Sequence, residues 1–203
     1  MTQRTIAQSD ICSTFFDHVV YIANRWYDTA QFGTISGAPG APGANNIRLV
    51  PFFVRSTITL NSLGLRVQTA SAGGNVQAAI YANNSTTNLP TGNALCSTAS
   101  MSTTSTGSVN SAVSVQLTPG LYWFATNCDN GTAAFAATNV GNCYIGWLFG
   151  STTQGTALAS TQSFSGYTVG QTFGTWPDLT SASPTEVANS NVPIGQFKVA
   201  SVP

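Results

Sequence analysis

Charge is the first thing missing. Six residues are Lys or Arg and six are Asp or Glu out of 203, giving a charged fraction of 6 % and a formal net charge of zero. An average soluble chain carries about 25 % charged residues. No basic stripe exists to follow a phosphate backbone, so nucleic acid is not expected as a partner. Histidine is almost absent, with His18 alone. The four cysteines, Cys12, Cys96, Cys128 and Cys143, form no CxxC pair. With one histidine beside them they make no zinc ligand set. Cys128 and Cys143 could bond if they lay on neighbouring strands. No apolar stretch resembling an export signal follows Met1, since Gln8, Ser9 and Asp10 interrupt it, so free, buried thiols are expected. No run of about 18 apolar residues occurs, and a membrane partner is not expected. Heptads and long repeats are also lacking.

What is present is uncharged polarity. Ser, Thr and Asn make up about a third of the chain. A chain without self-repulsion suits a subunit packed densely in an assembly, because a free protein at high concentration usually keeps a net charge. Size allows one domain, or one domain with an appendage.

The best-patterned stretch runs from Val50 to Val67. Ile58 and Leu60 alternate with Thr57, Thr59 and Asn61. The alternation slips at Ser62 and resumes through Leu63, Leu65 and Val67. A one-residue slip turns later side chains to the other face unless a bulge absorbs it, so two strands or one bulged strand are expected. Downstream, Val113, Val115 and Leu117 alternate with Ser114 and Gln116, a half-buried strand. Thr118-Pro119-Gly120 makes a turn. Leu121 to Ala125 is bulky at every position, as in a central strand. Further strands are expected at 47–54, 57–69, 75–83, 93–101, 109–117, 120–128, 132–138, 143–149 and 192–200, and irregular excursions over 150–191.

Short strands punctuated in this way give an all-β fold, an antiparallel β-sandwich or jelly roll with an extended N-terminal arm. Residues 1–46 read as the arm and a Gly/Pro linker, and residues 47–203 as a jelly-roll domain with long loops. The arm carries an apolar cluster from Ile11 to Tyr27, which fits either its own domain's core or a neighbouring subunit. Gly37 to Gly43 is a short Gly/Pro turn or linker, far too short for a collagen helix.

Chemistry finds little support. His18 follows Asp17, but no GxSxG elbow accompanies it, and a packed histidine is expected. The acids are Asp10, Asp17, Asp28, Asp129, Asp178 and Glu186, too scattered for a carboxylate pair flanking one glycosidic bond. Asn127-Cys128-Asp129-Asn130-Gly131 reads as a turn, since calcium asks for several carboxylates. Trp26, Tyr122, Trp123, Tyr144, Trp147 and Trp176 could stack on sugars, although such residues more often serve a core or an interface. Gly64, Gly73-Gly74 and Gly92 precede no helix and make no phosphate cradle. No catalytic, cofactor-binding or metal-binding residue is assigned, and enzymatic activity is not expected.

One resemblance rests on a series of motifs in order: Asn24-Arg25-Trp26-Tyr27, Pro51-Phe52-Phe53-Val54, Thr57 to Val67, Ala79-Ile80-Tyr81-Ala82-Asn83-Asn84, and Leu117 to Ala125. The series, over residues 24–126, resembles small β-sandwich proteins and modules of tailed bacteriophages. The resemblance implies a fold and a virion setting and transfers no catalytic or receptor-contacting residue. Without a coiled coil or shaft, it implies a capsid decoration (cement) protein. Such a protein would be a homotrimer on the outer capsid surface, assembled in the bacterial cytoplasm, with the major capsid protein and itself as partners. The alternative is a tail-fibre or tail-tip module that binds a receptor or glycan through the loops 83–92, 100–110 and 150–176. Attachment to the head is expected through the arm, so that removing residues 1–28 would leave a folded domain.

Overall fold

The structure is a computed structural model and describes residues 20–143, 145–150, 164–188 and 190–203. Its strands in chain order are β1 (Trp26–Asp28), β2 (Gly33–Ile35), β3 (Asn46–Val54), β4 (Ile58–Thr69), β5 (Asn75–Asn83), β6 (Pro90–Ser97), β7 (Met101–Ser102), β8 (Gly107–Leu117), β9 (Gly120–Cys128), β10 (Ala134–Phe135), β11 (Thr138–Cys143), β12 (Phe164–Gly170), β13 (Thr185–Ala188) and β14 (Gln196–Ser201). One helical turn, α1 (Ile145–Phe149), follows β11.

Two antiparallel sheets face each other. The smaller has the order β1-β14-β4-β8, and β10 pairs with β4 beyond the end of β14. The larger has the order β13-β12-β3-β9-β5-β6, and β7 pairs with β5 beyond β6. A ribbon of β2 and β11 stands apart from both. The winding is that of a jelly roll. One long hairpin pairs β3 with β9, β4 with β8 and β5 with β6, and both arms of the hairpin alternate between the sheets. β12 then adds beside β3, and β14 beside β4.

The slip at Ser62 is absorbed by one bulged strand. Register against β8 shifts between Leu60 and Ser62, and register against β14 shifts between Lys198 and Val199. Ile58 and Leu60 before the shift and Leu63, Leu65 and Val67 after it therefore enter the same core. Val50, Phe52, Val54, Ile80, Phe124 and Phe197 meet them between the sheets.

The larger sheet has a second core on its outer face. Ile47, Leu49, Tyr81, Trp123 and Ala125 pack there against Ile145, Phe164, Tyr167 and Leu179. β3, β5 and β9 are thus covered on both sides, and β9 lies between β3 and β5 as its bulky sequence requires. This layer corrects two expectations. The segment 143–149 is not one strand: β11 ends at Cys143 and α1 takes over. Ile145 and Phe149 stand four apart, the spacing that puts two side chains on one face of a helical turn, and Phe149 reaches the Trp123 ring at 5.8 Å. The segment 150–191 is not irregular throughout, because it contains β12 and β13. Register shifts between Phe164 and Tyr167, so the apolar residues of β12 stand three apart and break the alternation that marks a strand.

Residues 20–45 are sewn to the sandwich. Trp26, Tyr27 and Asp28 pair with Lys198, Phe197 and Gln196. Tyr21 is 6 % exposed and meets Tyr27 edge-on at 4.9 Å, while Tyr27 stacks on Phe197. Gly40 bridges Phe135, and Pro42 O accepts from Arg48 Nε. Of the described part of the apolar cluster, Tyr21 and Tyr27 enter their own domain's core, while Val20, Ile22 and Trp26 stay exposed. Removal of residues 1–28 would strip a strand from the smaller sheet. The cluster from Ile11 to Val19 lies outside the described residues, as do Cys12 and the Asp17-His18 pair.

Candidate functional site

The two sheets differ in what covers their outer faces. α1 and residues 176–182 close the face of the larger sheet. The outer face of the smaller sheet carries exposed side chains instead. Along β8 these are Ser108, Asn110, Ala112, Ser114 and Gln116, all exposed.

Cross-strand register arranges this face in rows. Trp26, Lys198, Ser62 and Ala112 form one. Asp28, Gln196, Gly64 and Asn110 form the next. Arg66 and Ser108 form a third. Trp26 does not stay in its row. A Cβ placed on Gly64 would come within 3.3 Å of the Trp26 ring, so the indole spans β14 and rests over β4. Glycine inside a strand marks a close approach by another group, and here Val109 O and Asn110 Cβ on β8 come nearest to that Cβ, at 3.0 and 3.2 Å, with the indole next. Trp26 keeps 39 % of its surface exposed. Its neighbours are polar: Gln196 Nε2 donates to Asp28 Oδ1 at 2.7 Å, and Ser62 Oγ donates to Ser111 O at 2.9 Å.

Arg66 stands two residues beyond Gly64 on the same face of β4. It lines a groove of about 540 Å³ with Gly37, Pro39, Val67, Gln68, Thr69, Thr106 and Gly107. The groove lies where the Gly/Pro segment passes the end of β4. Exposed hydroxyl and amide groups surround one guanidinium, so this surface can hold a polar ligand by hydrogen bonds, with a fixed aromatic ring beside it.

The other candidate residues fall elsewhere. Asp129 sits at the end of β9, where its Oδ1 and Oδ2 accept from the backbone N and Nδ2 of Asn75 at 2.8 and 2.9 Å. Burial opposes its ionisation, but the hydrogen bonds from Asn75 and Asn130 outweigh it and hold the carboxyl below its usual range. Asn130 Oδ1 accepts from Thr132 N and Ala133 N. The Asn127–Gly131 segment is therefore a hydrogen-bonded corner whose carboxylate is already engaged. Asp178 accepts from Thr180 N, and hydrogen bonding to the Thr180 side chain first, then to its backbone N, lowers its pKa. Glu186 lies on β13, where it raises the pKa of Tyr167 less than burial does. Asp28 is on the open face. Among the described residues no three of His, Cys, Asp and Glu come together.

Trp123 is fully buried and donates from Nε1 to Asn83 Oδ1 at 2.9 Å. Tyr122 ties down its turn by donating to Thr118 O at 3.0 Å. Trp176 packs edge-on against Tyr81. Tyr144 and the side chain of Trp147 lie outside the described residues. Cys96 and Cys128 are free. Burial pushes the Cys96 thiol up to about 12, and burial also raises Cys128. The Trp26 seat was not legible in the chain, because a three-residue β1 finds its place only through β14, about 170 residues away.

Compared with protein-family models and with characterised proteins, the chain matches none. Among the described residues no helix is long and apolar enough to cross a membrane.

Proposed function

We propose that the protein is a structural virion subunit, a decoration protein that binds the major capsid protein on the outer surface of a bacteriophage head and assembles with itself as a trimer. The motif series between Asn24 and Ala125 supplies the phage setting. The observation that carries the attachment role is an apolar cluster at one end of the sandwich. Val20, Ile22 and Phe53 are 67 %, 43 % and 44 % exposed. Tyr21, between the first two, donates from its hydroxyl to Phe53 O at 3.3 Å, so all three belong to the same end. The sequence before Val20 carries the rest of the apolar cluster, from Ile11 to Val19. Exposed apolar side chains gathered at one place favour burial against another protein. Binding only the assembled shell would stabilise that shell by mass action.

The reading is tested with heads stripped of the protein. The full chain should rebind to saturation at hundreds of copies per particle. A chain lacking residues 1–19, or carrying Val20→Ser with Ile22→Ser, should fold with an unchanged melting midpoint and fail to rebind. Normal decoration by both variants would refute the attachment role, and a few dozen copies or fewer per virion would place the protein in the tail.

A further inference from the structure

We propose that the open face of the smaller sheet binds an acidic oligosaccharide, with Trp26 as the stacking shelf and Arg66 as the partner of a sugar carboxylate. The inference is independent of whether the protein sits on a head or a tail. Three observations converge on it.

Trp26 is a large apolar side chain on a face of Ser, Asn, Gln, Lys and Asp. It is not there to fill the core, because Tyr27 on the same short strand does that from the other side. It is also held still. β1 fixes its backbone against β14, and Gly64 supplies the floor beneath its ring. A rigid, half-exposed indole offers apolar area to a ligand at little cost in conformational entropy.

The second observation is spacing. Arg66 follows Gly64 by two strand residues, about 7 Å along β4. A sugar ring over Trp26 therefore places its neighbour beside the guanidinium and the groove of Gln68, Thr69 and Thr106. Arginine forms paired hydrogen bonds with carboxylates, and the amides and hydroxyls around it suit sugar hydroxyls.

The third is charge. Among the described residues, this face holds Lys198 and Arg66 against Asp28, and Gln196 already donates to Asp28. The surplus is positive but small. Two cations are too few to track a nucleic-acid backbone, whose affinity rests on several phosphate contacts. One apolar residue is too little for a peptide held by buried anchors.

The test titrates the full chain, by calorimetry and amide NMR, with tetramers of galacturonate, of mannuronate and of sialic acid, and with maltotetraose as the neutral probe. At least one acidic tetramer should bind saturably and at least tenfold tighter than maltotetraose, with shifts centred on residues 26, 64, 66 and 110. Raising salt from 50 to 500 mM should weaken it several-fold. Trp26→Ala should weaken binding about tenfold or more, and Arg66→Gln should bring the acidic probe to the neutral probe's level. Arg66 and Asn110 are exposed, so Arg66→Gln and Asn110→Ala decide the matter if Trp26→Ala folds poorly. No binding by any acidic tetramer, or binding that both Trp26→Ala and Arg66→Gln leave unchanged, overturns the proposal. So does equal binding of a polyglutamate peptide that ignores Trp26→Ala, which would mean charge attraction alone.

Discussion

Trp26 and Trp123 each stand on the outer face of a sheet in the same sandwich, and their surroundings are opposite. Trp123 lies on β9, is wholly buried, and has Phe149 and Tyr167 against its ring at 5.8 and 5.4 Å. Trp26 lies on β1, over a glycine, with 39 % of its surface in water. The difference arises after β11, where α1 and residues 176–182 return over the larger sheet and β12 adds Phe164 and Tyr167 beside β3. The smaller sheet has one hydrophobic face and one polar face, as antiparallel sheets commonly do. One tryptophan therefore stabilises the fold, and the other is free to meet a ligand.

This contrast can be broken by mutation. The largest expected effect is Trp123→Ala, which removes a buried indole from the second core and should cost about 3–5 kcal/mol in denaturant unfolding. Trp26→Ala should cost under about 1 kcal/mol in the same experiment, in the manner of exposed positions. Equal losses would mean that the smaller sheet's outer face is structural too.

A glycine pair sharpens it next. A Cβ on Gly195 would overlap the Phe124 ring, inside the sandwich, where neither side can yield. Gly195→Ala should destabilise by about 1–3 kcal/mol through overpacking. On Gly64 the ring contact is 3.3 Å and the ring itself is half-exposed. A Cβ on Gly64 would also come within 3.0 Å of Val109 O on β8. Gly64→Ala should therefore cost less than Gly195→Ala but more than nothing, and it should also displace Trp26, read from the indole N–H resonance.

The third effect is a pH dependence to which two buried thiols of the larger sheet contribute, alongside the buried Tyr21, Tyr81 and Tyr167, whose pKa values burial also raises. Cys96 on β6 and Cys128 on β9 both have raised pKa values, Cys96 from 9.0 to about 12. The folded state favours the neutral thiols. Their contribution is fully present below the unfolded pKa near 9 and is lost as pH rises from there toward 12. The melting midpoint should hold steady up to about pH 8.5 and fall above 9, and Cys96→Ala should flatten the fall. The smallest effect is Arg66→Gln, which should leave stability within about 0.5 kcal/mol of the original.

Much of this architecture was written locally in the chain. The strands from Ile47 to Asn83 and from Val109 to Cys128 follow alternation or doubly apolar runs, and the slip at Ser62 foretold the bulge. Illegible parts depended on distant partners. α1 was masked by residues that favour strands, and β12 by a register shift that spaced Phe164 and Tyr167 three apart. The candidate site was the least legible. Trp26 was one aromatic among several, and Gly64 one of several glycines that precede no helix. Only pairing of β1 with β14, and of β14 with β4, brings them together.

The two proposals together divide the molecule into a proposed attachment end near Val20 and Phe53 and a proposed ligand-facing sheet. Hydrogen exchange of the protein free and bound to stripped heads tests that division most directly. New protection should appear over residues 20–31 and 51–55, while 62–68 and 108–112 exchange as in the free protein. Protection of 62–68 and 108–112, with 20–31 unchanged, would contradict it.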